Sequence, residues 1–301
     1  MNNLCNEISV RYGFSEVEIR PLEDGNQMLF DIRYQQNGQH KRAVLRHYFE
    51  WVNRIDVEAE TKWLKALADD TELRVPYPIA AADGTIIQEI ELDSDPGSSI
   101  AVLLTWLPGK EMAENVSSTR IREVGRVLAR LHNHSSCMMG RDRVASQRQG
   151  FEVWVDDWSS AKDVAKDAVR VLETAARIVS AMMQSISVES HLCGFIHCDP
   201  HPWNILVDGK ELAIIDFSDC GWGPYAYDIA SALVYYKYPW VWDEEPTFDY
   251  PQLEASLLAG YDSERPLPEN LQQALPICFA ARLLVLVQWL LDGLVDIDAT
   301  P

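Results

Sequence analysis

Three side chains that offer oxygen ligands lie near one another in the sequence. Asp199 and Asn204 fall in the stretch from Phe195 to Asn204, which reads H-x-D-x-x-x-x-N from His197 onward, and Asp216 follows after a predicted hairpin. Mg²⁺ is a hard cation that takes a few carboxylate or amide oxygens from a protein and completes its shell with phosphate and water. The pattern therefore predicts a divalent cation site formed by one loop and the neighbouring hairpin.

The same region also contains side chains that bind softer metals: His191, Cys193, His197, Cys198 and His201. A zinc metallohydrolase built on His197, Asp199 and His201 is therefore an alternative. Adjacent residues of an extended strand point to opposite faces, so His197 and Cys198 do not easily share one ion, whereas His197 and Asp199 do. The zinc alternative leaves Asn204 and Asp216 without an explanation.

Short elements must position these residues. An apolar strand over Gly194–His197 leads into the loop, and the hairpin has strands over Ile205–Val207 and Glu211–Asp216 with Asp208-Gly209 at the turn. Asp228 begins a predicted helix after Pro224, so capping is its simplest explanation and bracing of the metal-binding loop is the alternative.

The rest of the chain divides where the hydrophobic period changes, after Pro108-Gly109. The preceding part predicts antiparallel strands and one helix: strands 17–22, 27–35, 42–49, 86–92 and 100–107, and a helix over 56–67. The following part is mainly helical, with patterns around 121–131 and over 160–186, 228–236, 252–260 and 269–294, the last interrupted by Pro276. We predict an α+β chain with a small antiparallel β-sheet lobe over residues 1–105 and a larger, mainly helical lobe over residues 106–301.

Composition narrows the classes of partner. The 301 residues include 26 Lys and Arg against 46 Asp and Glu, a net charge of -20, which disfavours nucleic acid. No charged-then-apolar leader opens the chain, and no uninterrupted apolar run is longer than Leu283–Val287, so we expect no membrane segment. Six scattered cysteines without a CxxC pair suit a reducing compartment. We therefore expect a cytoplasmic protein.

These motifs together resemble the aminoglycoside phosphotransferase and choline kinase family, which has a bilobal protein-kinase-like fold. The resemblance rests on HxDxxxxN from His197 to Asn204 and on Ile215-Asp216-Phe217, with support from three further segments: Trp106 to Gly109, Leu128 to His132 and Tyr227 to Ala230. It covers nearly the whole chain and looks closest to the bacterial branch with homoserine kinase type II and a stress-response Ser/Thr kinase.

The resemblance implies an ATP-dependent kinase that moves the γ-phosphoryl group of MgATP to a hydroxyl of a small molecule such as an aminoglycoside, homoserine or a choline-like compound. In such enzymes the residue matching Asp199 accepts the hydroxyl proton, and those matching Asn204 and Asp216 hold magnesium. His197 then anchors the catalytic loop, and Asp228 gives structural support.

For the amino-terminal lobe, the resemblance implies that the turn at Gly25 and Asn26 covers the nucleotide phosphates, although a simple hairpin turn explains these residues equally well. Arg46 stands where kinases have a phosphate-binding lysine, and arginine keeps the charge and grips phosphate bidentately. Glu60 is its expected partner on the helix, with Glu58 as a competitor. Adenine would bind the backbone of the junction strand, which contains three residues: Thr105, Trp106 and Leu107.

The acceptor is less defined by the sequence. Asp243, Glu244 and Glu245 lie between aromatic residues where the family builds acceptor contacts, and a solvated loop explains them as well. A Ser/Thr protein kinase with a protein substrate and a non-catalytic nucleotide-binding protein stay open beside the zinc hydrolase. The sequence does not define the oligomeric state.

Overall fold

The computed structural model describes residues 2–22, 28–48, 52–90, 100–138, 166–187, 190–242 and 247–298. The described residues form two compact units. The first contains the residues up to Gly109 together with Leu206–Ser218, and the second contains Lys110–Ile205 and the residues from Asp219 onward. The hairpin segment that ends near Asp216 therefore belongs to the first unit although it follows the second unit's catalytic-loop motif in sequence.

The helices and strands follow one another in this order: α1 (Asn2–Tyr12), β1 (Ser15–Leu22), β2 (Met28–Gln36), β3 (Gln39–His47), α2 (Arg54–Asp70), β4 (Ile87–Glu89), β5 (Ile100–Thr105), β6 (Lys110–Glu111), α3 (Ser118–Met138), α4 (Lys166–Ile186), β7 (Cys193–Ile196), β8 (Ile205–Asp208), β9 (Glu211–Ile214), β10 (Gly221–Pro224), α5 (Tyr225–Lys237), α6 (Tyr250–Asp262) and α7 (Leu271–Asp298).

A five-stranded antiparallel sheet forms most of the first unit, in the order β1-β2-β3-β5-β4. Its hydrophobic core includes α1, a helix that the sequence did not lead us to predict. Leu4, Ile8 and Tyr12 are buried and lie four residues apart, which is the helical signal that was overlooked.

The segment from Leu206 to Ser218 packs within the first unit against Arg74 and against Trp63 of α2. Arg74 forms a parallel bridge with Ala213 and ion pairs with Asp208 and Glu211 at 3.2 and 2.9 Å. The ring of Phe217, next to Asp216, meets Trp63 of α2 edge-on at 5.3 Å between centroids. These contacts fix the segment that carries Asp216.

Helices make up most of the second unit, together with the antiparallel pair of β7 and β10. Helices α3 and α6 approach so closely that a Cβ on Gly125 or Gly260 would lie 2.1 or 1.9 Å from a backbone oxygen of the facing helix. Helix α5 is buried on all sides from Tyr225 to Tyr236, and α7 packs against it. The catalytic loop thus starts from a strand surrounded by packed helices.

Helix α7 differs from the prediction in two ways. It continues through Pro276, because this residue lies in the second turn and costs only one helical hydrogen bond near an end where several N–H groups lack helical partners anyway. The stretch Leu271–Leu291 is also long and apolar enough to cross a membrane by length and composition alone. A core helix has the same properties, and α7 packs against α4 and α5.

Candidate active site

The loop from Asp199 to Asn204 is a compact turn held by its own polar groups. The His201 N–H donates to the Asp199 carbonyl at 2.9 Å, and the Asn204 N–H donates to His201 Nδ1 at 3.1 Å. Asn204 also donates its side-chain Nδ2 to the Asp199 carbonyl at 3.0 Å. The side-chain amide nitrogen of Asn204 is therefore engaged within the loop.

Asp228 holds the start of this loop from α5. Its Oδ2 accepts from the His197 N–H at 3.0 Å and its Oδ1 from the Cys198 N–H at 2.7 Å. The capping expectation was wrong, because the helix begins three residues earlier with Pro224 as its N-cap. Cys198 has a φ of 73°, in the left-handed region, and the bond to Asp228 offsets part of the cost of that conformation.

Two buried histidines extend this support. His197 is fully buried, and its Nδ1 accepts from the Asp199 N–H at 3.2 Å, which ties the motif histidine to the aspartate two residues later. His132 of α3 lies between Asp228, at 3.0 Å from Nε2, and the Tyr261 hydroxyl, at 2.8 Å from Nδ1. Burial lowers the pKa of His132 despite the neighbouring Asp228. The neutral imidazole then donates from Nε2 to the carboxylate and accepts from tyrosine.

The Asp199 carboxylate is partly exposed, at 20%, and has two basic side chains as neighbours. Arg282 of α7 donates to its Oδ1, and His201 Nε2 lies 3.6 Å from its Oδ2. Arg282 is itself buried and also donates to the Tyr235 hydroxyl at 3.0 Å. No motif marks Arg282, which lies 83 residues from Asp199 within an apolar helix, so only the tertiary structure brings it to the site.

Arg46 of β3 occupies a second polar cluster, in the first unit. Its Nη1 donates to Glu60 Oε1 at 2.9 Å, and its Nη2 lies 2.8 Å from Asp216 Oδ1. Tyr48 donates its hydroxyl to the other oxygen of Glu60 at 2.9 Å. Glu58, the competing candidate, pairs instead with Arg54 near the surface. Burial opposes the charge on Arg46, but Asp216 and Glu60 outweigh it and raise the pKa of the guanidinium well above its usual value.

Asp216 combines a strained backbone with a fixed carboxylate. Its φ is 62°, and its Oδ1 accepts from the Ser218 hydroxyl at 2.8 Å in addition to its ion pair with Arg46. The side chain is 26% exposed. A carboxylate that is partly exposed and held in place suits the coordination of a hard cation.

The predicted adenine strand lies at the end of β5. Thr105 N–H donates to the Tyr77 carbonyl at 3.0 Å, and Trp106 N–H donates to the Arg42 carbonyl at 3.3 Å. The guanidinium of Arg42 also stacks on the Trp106 ring, 3.3 Å from its centroid. Two of the three N–H groups therefore already have backbone partners, and an adenine contact with the backbone of Thr105, Trp106 and Leu107 stays a prediction.

Two predicted groups cannot be placed. Gly25 and Asn26 lie outside the described residues, and so do Asp243, Glu244 and Glu245. The residue before the acidic run, Trp242, contacts Trp203 with tilted rings, 4.8 Å between centroids. Trp203 in turn meets Tyr235 edge-on at 5.5 Å. An aromatic cluster therefore adjoins the Arg282 partner Tyr235.

The zinc alternative gains no support from the part of the chain that is described. No three His, Cys, Asp or Glu residues there are grouped so that they would hold a metal ion. His197 and His201 each use Nδ1 to accept a backbone hydrogen bond within the loop. Their positions are explained by loop structure without a metal.

Comparisons with known proteins identify the family of the chain. The family model of the phosphotransferase enzyme family matches residues 18–267. A homoserine kinase of Gluconacetobacter diazotrophicus is 30% identical over 258 residues, which cover 82% of this chain and 73% of that protein. A homoserine kinase of Mesorhizobium japonicum is 29% identical over 205 residues, 67% of this chain, and the match spans only 59% of that relative's length.

A solved structure of the amicoumacin kinase hAmiN, in complex with AMP-PNP, Ca²⁺ and Ami, has the same fold. Its TM-score is 0.80 at 17% identity, with 97% of this chain and 86% of that chain covered. The predicted α+β, protein-kinase-like fold class is thus confirmed, as is the predicted membership of a phosphotransferase family. The chain belongs to the phosphotransferase enzyme family.

Proposed function

We propose that this protein transfers the γ-phosphoryl group of MgATP to a hydroxyl of a small molecule in the cytoplasm. The proposal rests on one observation, which is that the Asp199 carboxylate is partly exposed while the loop that carries it is held in place. This carboxylate is partly exposed at a compact loop. The Asp199 N–H donates to His197 and its carbonyl accepts from the Asn204 side chain, while Asp228 accepts from the two preceding N–H groups. A carboxylate held in this way suits a group that must meet a substrate hydroxyl in one orientation.

In the proposed reaction, Asp199 accepts the proton of the acceptor hydroxyl. The hydroxyl oxygen forms a bond to the γ-phosphorus, the bond from that phosphorus to the β,γ-bridging oxygen breaks, and ADP leaves with the electron pair. Phosphoryl transfer depends mainly on positioning and on compensation of charge, so a modest base is sufficient.

The residues present fit a magnesium–nucleotide complex by their donor chemistry. Asn204 offers an amide oxygen whose direction is set by its Nδ2 bond, and Asp216 offers a fixed carboxylate. Magnesium supplies charge neutralisation on the phosphate oxygens when it is bound. Arg46 remains cationic between Glu60 and Asp216 and is assigned to the phosphates, where a guanidinium binds oxygens bidentately.

The acceptor class rests on the relatives. The names of the relatives include homoserine kinase and amicoumacin kinase, and both describe small molecules. A small-molecule hydroxyl is therefore the proposed acceptor. Transfer to a protein hydroxyl is an outcome that the acceptor panel below also detects.

The test uses the full chain with MgATP and a panel of homoserine, aminoglycosides, amino alcohols, sugars and a Ser/Thr peptide, with ADP release and product mass as readouts. We expect Asp199→Asn to abolish transfer and to keep the rise in melting temperature that MgATP causes. Asp216→Ala should lose both, because it removes a proposed metal ligand.

Asp167→Asn is the matched control, because Asp167 lies in the first turn of α4 with a 93% exposed side chain. This variant should behave like wild type in transfer and in nucleotide binding. Turnover by Asp199→Asn at the wild-type rate would refute the assignment of the base, and the lack of transfer to every acceptor by the wild-type protein would refute the proposed function.

A further inference from the structure

Arg282 is a buried charged side chain, and the free-energy cost of removing its charge from water is not explained by packing alone. It lies in a helix that is otherwise apolar enough to pass for a membrane span, and only 5% of it is exposed. Its Nε is buried without a hydrogen-bond partner among the described residues. A buried ion pair is often no more stabilising than apolar side chains of similar volume, so stability alone does not account for an arginine here.

Arg282 contacts Asp199 and two tyrosines of α5, Tyr227 and Tyr235. The guanidinium donates to Asp199 Oδ1 and, from the same Nη2, to the Tyr235 hydroxyl at 3.0 Å. Burial raises the pKa of Tyr235 to about 12, so this tyrosine stays a neutral phenol in the working range of pH. Burial also opposes the charge on Arg282, but Asp199 outweighs it and raises the pKa of the guanidinium. Arg282 is therefore a permanent cation joined to one carboxylate oxygen.

We propose that Arg282 is a positioning residue for phosphoryl transfer, which holds Asp199 by Oδ1 so that Oδ2 receives the proton of the acceptor hydroxyl. This inference rests on the proposed function of Asp199 as the base. The ion pair fixes the plane of the carboxylate, and the transfer step depends on how the base is oriented toward the acceptor hydroxyl.

A positioning role for Arg282 predicts an effect on kcat and little effect on nucleotide binding. Arg282 touches Asp199 and Tyr235 within the second unit, whereas the phosphate-binding assignment of Arg46 lies in the first unit. Removal of Arg282 should therefore lower kcat by about 10²-fold and leave the KM for MgATP nearly unchanged.

The test compares Arg282→Ala and Arg282→Lys with wild type, using the acceptor that the panel identifies. In Arg282→Ala, added guanidinium ion should restore part of kcat by filling the vacated site, and it should not do so in Asp199→Asn. Arg282→Lys keeps the charge and should fall between wild type and Arg282→Ala. Arg130→Ala is the matched control, because Arg130 pairs with Glu264 at 2.9 Å on the surface.

A second measurement does not depend on turnover. A double-mutant cycle of Arg282→Ala and Asp199→Asn, read by urea unfolding without substrates, should show coupling between the two positions. Additive effects would overturn the proposal because the pair would not exist. Unchanged kcat in Arg282→Ala, or equal losses of kcat and MgATP binding without rescue by guanidinium, would overturn it as well. Inactivity of the wild-type protein would instead refute the proposed function.

Discussion

Asp228→Asn tests whether the catalytic loop is held by a single buried carboxylate. Asp228 accepts three hydrogen bonds, from the N–H groups of His197 and Cys198 and from His132 Nε2, and it is fully buried. An asparagine has one oxygen and one amino group in place of the two oxygens. In either orientation of the amide, at least one buried N–H then faces another N–H.

The magnitude follows from these contacts. A hydrogen bond to a charged group contributes about 1.5–3 kcal/mol, and a buried donor left without an acceptor costs about 1–3 kcal/mol. In the less costly orientation the Cys198 N–H loses its partner and the other two bonds are kept with a neutral acceptor. We expect the free energy of unfolding of the second unit to fall by about 3–5 kcal/mol.

Urea unfolding measures this loss, which corresponds to a midpoint about 1–2 M lower than that of wild type. Amide hydrogen exchange over residues 193–204 gives a local readout, and protection there should fall first. Since the same loop carries Asp199, kcat should drop by about 10²-fold or more. The exposed variant Asp167→Asn makes the same chemical change without these effects. A midpoint for Asp228→Asn within the error of wild type would refute the bracing role.

Two further predictions concern pH and helix packing. His132 is held neutral with a lowered pKa, so the unfolded chain takes up a proton near pH 6.5 before the folded chain does. The free energy of unfolding should therefore fall as pH decreases through this value, by up to about 1.4 kcal/mol per pH unit, and His132→Gln should lose that component. Parallel stability curves for the two proteins between pH 7.5 and 5 would contradict the expectation. Gly260→Ala places a Cβ 1.9 Å from the backbone oxygen of Arg122 and should cost about 2–3 kcal/mol even though alanine favours helix. An unchanged or higher urea midpoint for this variant would show that α3 and α6 separate without cost.

Much of the fold could be predicted because it follows from local periodicity. Strands such as β2 and β3 show partial alternation, the long helices bury one face, and turn residues such as Asp208-Gly209 mark hairpins. The missed helix α1 has a clear four-residue repeat, and β10 was missed because Gly221–Pro224 carries no alternation of apolar and polar side chains. An element can be predicted from the sequence only where such a local pattern of apolar and polar residues is present.

The sequence by itself predicted Asp199, Asn204 and Asp216 as residues of a phosphotransferase site, because they keep a recognisable spacing on a loop and a hairpin. Only the tertiary structure decided which side chains hold them. Glu60 rather than Glu58 pairs with Arg46, Asp228 accepts from the catalytic loop instead of capping its helix, and Arg282 reaches Asp199 from a helix 83 residues away. The spacing of residues along a chain indicates local conformation. The partner of a buried charge depends instead on how distant elements pack together, and no short motif encodes that packing.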